Sequence, residues 1–280
     1  MEIILTDPLL LLWLGLLGLF VGFLTGMFGI GGAFITTPAM IILVGLDESL
    51  AVGCSMGFTL ANGLLGLRQH RGRGNLEPAA MLAIAGGACL GTWLGFQFHY
   101  SLKDAVGERF DDLVNTLFIV ILVPIGALVW WQSDKSRGKA LLSRIKVPPM
   151  VQLRQKDLPA VSLTLLGLIG LVIGVFKGML GIGGGIILIP ILILVVGMSP
   201  HRAVVASLGM VVFSSLVGTI LYASQGDIDF LLVGAMLAGS LLGVVFGTKL
   251  CHVTSAKRLK RMLALLILGF VVFLLIEVIS

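Results

Sequence analysis

Glycine and proline recur in the two halves of this chain at a fixed offset of 152 residues, and this duplication constrains the fold more than any other feature. Gly22, Gly26, Met27, Gly29, Ile30, Gly31, Gly32 and Pro38 meet Gly174, Gly178, Met179, Gly181, Ile182, Gly183, Gly184 and Pro190 without a gap. The match continues through Gly45/Gly197, Ala51/Ala203, Ser55/Ser207, Gly57/Gly209, Gly91/Gly243 and Gly95/Gly247. Chance similarity between apolar segments reuses Leu and Val; it does not reproduce glycine and proline over such a distance. The chain therefore divides into a first repeat at 1–131, a polar and basic loop at 132–159 and a second repeat at 160–280.

Both repeats consist of apolar runs of the length that crosses a bilayer, about 17–25 residues. In the first repeat these are 9–28, a shorter run 33–44 beyond Gly29-Ile30-Gly31-Gly32, then 51–67, 78–98 and 113–131. In the second they are 160–180, a short run 186–196 beyond Gly181-Ile182-Gly183-Gly184-Gly185, then 203–222, 230–250 and 262–279. Only 12% of the residues are charged, against roughly 25% in a soluble domain, too few to clothe a water-soluble surface. The fold class is an all-α integral membrane protein with the lipid bilayer as its solvent. No soluble domain remains for the net charge of +5 to bind nucleic acid, and Cys54, Cys89 and Cys251 are too scattered for a disulfide framework.

Charge sets the two repeats against each other, because Lys and Arg accumulate in cytoplasmic loops. Loop 68–77 carries Arg68, Arg71 and Arg73, whereas its partner 223–229 carries Asp227 and Asp229. Loop 99–112 sets Lys103 and Arg109 against four acids; its partner 249–261 has Lys249, Lys257, Arg258, Lys260 and Arg261 and no acid. Segment 45–50 has Asp47 and Glu48, while 197–202 has Arg202. Equivalent loops of opposite character predict inverted repeats, with 68–77, 132–159, 197–202 and 249–261 cytoplasmic and both termini outside. Inversion needs an odd number of crossings per repeat, so 9–44 and 160–196 must each return to the side they entered. Their short arms, about a dozen residues or about 18 Å of helix, cannot span a core of about 30 Å. Each is read as a re-entrant pair with its glycine tip inside the membrane, followed by three transmembrane helices.

The tips are candidate binding elements. Non-helical backbone at membrane depth is tolerated only within protein or beside a water-filled cavity. Each break also starts a new helix, near Ala33 and near Ile186, whose first N–H groups lack intrahelical partners and sit at the positive end of the dipole. Two such starts brought together make a midplane oxyanion site from Gly29, Gly31, Gly32 and Ala33 with Gly181, Gly183, Gly184 and Gly185. The alternative is that these glycines only permit tight helix crossings, the role assigned to Gly22, Gly26, Gly87, Gly91 and Gly95. Lys177 is the one cation inside an apolar run away from its ends, opposite the neutral Thr25 of the other repeat. An intramembrane ionisable group is a functional hypothesis by default, with a snorkelling or carbonyl-capping lysine as the alternative. Ser55, Thr59 and Asn62 share one helical face, and Ser207, Ser214 and Ser215 stand in the equivalent part of the other repeat. Neutral donors suit an oxyanion; interhelical hydrogen bonding is the other use of such residues in lipid.

Other patterns carry less. Gly53-Cys54-Ser55-Met56-Gly57 fits a nucleophile elbow but starts a membrane helix rather than following a strand. His70, His99, His201 and His252 fall in loops or at span ends. No catalytic residue and no metal-ligand spacing is present, so neither an enzyme nor a cofactor is implied.

The two in-register Gly-x-Gly-Gly turns, 29–32 and 181–184, each ending a glycine-rich helix and followed by Pro38 or Pro190 within a duplicated apolar chain, resemble the TauE/SafE family over roughly residues 10–278. The resemblance implies a transporter of sulfite, sulfoacetate or a related organosulfonate in a bacterial inner membrane. The resulting expectation is a secondary transporter of a small anion working by alternating access. A carrier or channel for another ion and a non-transporting assembly or sensor subunit are the alternatives. The coupling ion (proton or sodium), the direction and the oligomeric state, a homo-oligomer included, stay open.

Overall fold

The computed structural model describes residues 8–70, 77–106, 147–152, 160–181 and 183–279, with Val123, Pro124, Ala127 and Trp130. The expectations for the span 113–131, for most of 132–159, for Ile182 and for the side chains of Arg71, Arg73, Lys103 and Arg109 lie outside the described residues. Apart from a two-residue hairpin of β1 (Met150–Val151) with β2 (Val161–Ser162), the described chain is helical. The first repeat contributes α1 (Pro8–Phe28), α2 (Ala33–Val44), α3 (Glu48–His70) and α4 (Pro78–Val106). The second contributes α5 (Leu163–Leu180), α6 (Gly185–Ile191), α7 (Pro200–Ser224), α8 (Phe230–Val253) and α9 (Ala256–Ile279), with a π turn at Leu192–Val196 extending α6. Six of these are long and apolar enough to cross a membrane, and α2 and the α6 arm are shorter apolar helices.

Local chemistry sets the boundaries. The Ser162 side chain accepts from Leu165 N–H to cap α5, and Asp229 accepts from Leu231 and Leu232 N–H to cap α8. Both short arms end at glycines in the left-handed region, Gly45 (φ 69°) and Gly197 (φ 83°), the C-terminal stop that lacks a Cβ penalty. The basic segment 249–261 is not a loop. Lys249 lies in α8, and Lys257, Arg258, Lys260 and Arg261 lie in the first turns of α9, because only Thr254 and Ser255 interrupt the helices.

Glycine spacing dictates the packing. Along α1, Gly18, Gly22 and Gly26 lie on Met236, Ser240 and Val244 of α8; a Cβ on Gly22 would stand 2.7 Å from the Ser240 carbonyl oxygen. Gly239, Gly243 and Gly247 of α8 press back on Gly15, Leu19 and Phe23. The same zipper joins α4 to α5, with Gly87, Gly91 and Gly95 on Gly167, Leu171 and Val175, and Gly170, Gly174 and Gly178 on Ile84, Ala88 and Thr92. Residue numbers rise together in both pairs, so each pair is parallel, and a small residue every fourth position lets the backbones touch. The contacts are the same under the 152-residue offset. Each repeat's first helix thus packs on the other repeat's fourth.

The equivalent helices α3 and α7 cross between these pairs in opposite directions: Met56 meets Gly218, Gly63 meets Val211 and Val212, and Gly66 meets Leu208. Leu14 of α1, Met40 of α2, Leu46, Ala51 of α3 and Leu232 of α8 share one buried cluster. That cluster places the start of α1 and the end of α2 on one side. On the other side Glu77, ahead of α4, pairs with Arg202 in the first turn of α7.

Candidate functional site

The two tips touch at the centre of the molecule. A Cβ on Gly183 would be 2.8 Å from the Ile30 carbonyl oxygen and 3.2 Å from Ala33 N, and one on Gly185 would be 2.7 Å from Ile30 Cα. The amides of Ile35 and Thr36 close on the Gly32 carbonyl, leaving those of Gly32, Ala33 and Phe34 as the N-terminal donors without intrahelical partners. Their neighbour is the backbone of the opposite tip. Gly31 (φ 86°) is flanked by Thr59 and Val211, each with a methyl 2.8 Å from where its Cβ would be. These two residues lie near the middle of α3 and α7, so the breaks sit at membrane depth.

Not every tip glycine faces this junction. Gly32 (φ 96°) presses on Val21 of its own first arm, and Gly184 presses on Ile173 and Met210. Val21 and Ile173 are equivalent under the repeat offset, so both glycines serve the fold-back of an arm on itself. Gly29 (φ 70°) and Gly181 (φ 66°) lie on Val204 and Val52 respectively. Their carbonyls are held from across the repeats: Ser207 Oγ donates to Gly29 O at 2.9 Å, and Thr37 Oγ1 donates to Gly181 O at 3.3 Å.

Ser55, the equivalent of Ser207, is not used in this way. Ser55 Oγ, Thr59 Oγ1 and Asn62 Nδ2 are fully buried and have no hydrogen-bond partner among the described residues. All three lie along one face of α3, and Thr59 faces Gly31 in the first repeat's glycine break, tip 1, the second repeat's break being tip 2. Asn62 Oδ1 accepts from Ser240 of α8, which leaves its amide N–H2 as the unspent group. The row is a line of donors at membrane depth.

Lys177 is fully buried. Its Nζ donates to Ser215 Oγ at 2.6 Å, Ser214 Oγ at 2.7 Å and the Val211 carbonyl at 3.1 Å. All three acceptors are neutral. Ser214 in turn donates to Met210 O at 2.7 Å. Val211 connects this cluster to the tips, since its side chain abuts Gly31 while its carbonyl receives Lys177. The structure therefore brings Lys177, Ser214 and tip 1 together, and leaves Asn62 in the separate row on α3.

Two residues passed over in the sequence sit beside the tips. His70 Nε2 donates to Gly26 O at 3.0 Å, and Tyr222 OH donates to Gly178 O at 3.0 Å. Both pairs are equivalent under the 152-residue offset, so each first arm has a carbonyl of its last turn held by a side chain from its own repeat. His99, expected at a span end, is fully buried within α4; it holds Met179 O at 2.7 Å through Nδ1. A separate apolar cavity of about 510 Å³, lined by Phe34, Pro38, Ile42, Leu265 and Phe270, opens between α2 and α9 and takes no part in the tip junction.

A family model described as sulfite exporter TauE/SafE matches residues 14–274. The chain is 29% identical over 267 residues to "Probable membrane transporter protein YjnA" of Bacillus subtilis (strain 168), covering 90% of this chain and 95% of that protein. It is 28% identical over 260 residues to a "Probable membrane transporter protein" of Xylella fastidiosa (strain 9a5c), covering 90% of each. It is also 26% identical over 227 residues to "Probable membrane transporter protein MJ0441" of Methanocaldococcus jannaschii, covering 79% of this chain and 74% of that one. No solved structure matches.

Proposed function

The chain belongs to the sulfite exporter TauE/SafE family, and from that premise we propose that it is a secondary transporter of a small anion, sulfite or an organosulfonate, working by alternating access. The observation that carries the reading is the row of Ser55 Oγ, Thr59 Oγ1 and Asn62 Nδ2 along α3: three fully buried groups without a hydrogen-bond partner among the described residues, with Thr59 against Gly31. An orphaned polar group in a membrane interior is costly, and a sulfite or sulfonate, whose oxygens only accept, supplies what these donors lack. The N-terminal amides of α2, freed when the tips part, add donors at a helix start. Lys177, held among the described residues by neutral oxygens, supplies the positive charge. A buried ammonium balanced only by dipoles is paired more favourably by an anion.

The antiparallel crossing of α3 and α7 and the charge asymmetry of the loops support an inverted repeat in the inner membrane, with 45–50, 223–229 and both termini outside. An inverted pair can exchange its two sides by rocking one bundle against the other around a fixed midplane site. The test is uptake of radiolabelled sulfite, sulfoacetate and taurine into proteoliposomes, with sulfate as competitor. Saturable uptake of a sulfur oxyanion that falls in Thr59→Val and Asn62→Leu supports the reading; uptake by both variants at the unmodified rate refutes it.

A further inference from the structure

The carbonyl end of α5 is held in an uncommon way. The last carbonyls of a helix lack intrahelical partners, and here each of three has a named donor: Lys177 O takes Gly181 N–H, Gly178 O takes Tyr222 OH, and Met179 O takes His99. A carbonyl only accepts, so His99 Nδ1 carries a hydrogen. Its other nitrogen, Nε2, faces Ser49 Oγ at 3.3 Å. A serine hydroxyl can donate to a neutral imidazole or accept from an imidazolium, so His99 can gain a proton on Nε2 without losing either hydrogen bond.

We propose that His99 is the binding site of a coupling proton, linked through the last turn of α5 to the anion site at the tips. The proposal rests on the anion reading above for what the proton is coupled to, and on the geometry of His99 alone for the site. A positive charge at the carbonyl end of a helix is stabilised by the helix dipole. Met179 stands between Lys177 and Gly181, so the charge arrives beside the arm that carries both the ammonium and tip 2. Among the described residues, the titratable groups beside His99 are Tyr100 on its own helix and Tyr222 of α7; Asp47 before α3, Asp227 before α8 and Glu48 of α3 act on those two tyrosines, and Lys177 lies two residues before Met179 on α5. Asp227 accepts from Tyr100 OH and Asp47 accepts from Ser49 N–H at 3.1 Å. The Tyr100 and Tyr222 rings stand edge-on to the imidazole, with centroids 5.2 and 5.8 Å away. Asp47 and Asp227 thus reach this cluster through Ser49 and Tyr100. In the other repeat the pair is exchanged, with Cys251 where His99 stands and His201 where Ser49 stands, and His201 Nε2 lies 3.0 Å from Cys251 O. Proton and anion attract, and linkage requires each to raise the affinity of the other by the same factor.

The experiment uses the full-length protein in nanodiscs with 15N-labelled histidine. His99→Gln identifies the resonance and keeps a donor for Met179 O, so the helix end stays capped. The expected spectrum is the Nδ1-protonated tautomer near pH 8, converting to imidazolium on acidification to about pH 5, the range in which histidine titrates. An imidazole that stays neutral to pH 5 overturns the proton site. Calorimetry with sulfoacetate, whose sulfonate and carboxylate stay ionised over pH 6–8, is then run in two buffers of different ionisation enthalpy. Proton uptake on binding is expected in the natural protein and absent in His99→Gln. Affinity should tighten by up to about tenfold per pH unit on acidification in the former and stay flat in the latter. Binding without proton uptake, or with equal uptake in His99→Gln, overturns the coupling while leaving the anion reading intact. Absence of binding by both sulfoacetate and sulfite overturns the anion reading instead, and the histidine titration then decides the proton site by itself.

Discussion

Replacing Lys177 with Met separates a binding lysine from a structural one. The substitution keeps the unbranched stem and removes the charge from a fully buried position. For stability, three hydrogen bonds are lost, but their acceptors are not stranded equally. Val211 O is a helical carbonyl, and Ser214 Oγ keeps its own bond to Met210 O at 2.7 Å. Ser215 Oγ loses its donor, and one buried hydroxyl left short of a partner costs about 1–3 kcal/mol. Against this, exchanging a buried ion for an apolar side chain of similar volume is often neutral or stabilising. The net change in folding is therefore small, within about 2 kcal/mol of zero. For binding, a hydrogen bond to a charged group contributes about 1.5–3 kcal/mol, so anion affinity should fall by roughly 10- to 150-fold. Isothermal titration with sulfite beside thermal unfolding of the same preparation reads both numbers. Lys177→Arg should keep part of the affinity, since a planar guanidinium fits a site shaped for an ammonium poorly, and Thr25→Ala should lose much less than Lys177→Met. If Lys177→Met lowers the melting temperature and leaves affinity unchanged, the lysine only ties α5 to α7, and its assignment to the anion site is wrong.

Gly183→Val should abolish sulfite binding while the protein still assembles, because even its Cβ would stand 2.8 Å from Ile30 O and force the tips apart; normal binding by this variant would return the tip to a packing role. Gly91→Leu should instead prevent stable assembly, since its side chain would enter the Leu171 backbone of α5; size-exclusion chromatography of the detergent extract should show loss of the monodisperse peak. In a variant with Cys54, Cys89 and Cys251 replaced, cysteines introduced at Gly226 and at Lys257 should react with an impermeant thiol reagent from opposite sides of intact cells. Labelling of both from one side would refute the inverted arrangement.

Much of the fold was legible because membrane spans and breaks follow from run length and from glycine, which the sequence displays directly. The positions of both breaks and both short arms agree with the structure to within a residue or two. The pairing of α1 with α8 and of α4 with α5 was not read, although its signal was present as glycines four apart at 87, 91 and 95 and at 239, 243 and 247. A zipper face announces close approach without naming the partner. The candidate site was legible in part. Lys177 stood out by its charge, but its partners Ser214 and Ser215 could be paired with it only once α5 and α7 were in place. Gly32 and Gly184 share a motif with Gly31 and Gly183, yet one residue along a turn reverses the direction faced. Position near a span end says nothing of burial, and His70 and His99 are both buried against a carbonyl next to a break.

The exchange of first helices between repeats has a consequence for how the protein is made. The α4–α5 zipper joins residues such as Gly87 and Gly167, so it can close soon after the chain's midpoint leaves the ribosome. The glycine face of α1 waits far longer, because Gly18 rests on Met236. At about 5–20 residues per second, the intervening stretch takes roughly 10–40 s to synthesise. Throughout that interval α1 lies in the bilayer with its packing face turned to lipid or to the insertion machinery. A chain truncated before α8 carries that face permanently exposed, and it is there that quality-control proteases of the membrane would recognise an unfinished molecule.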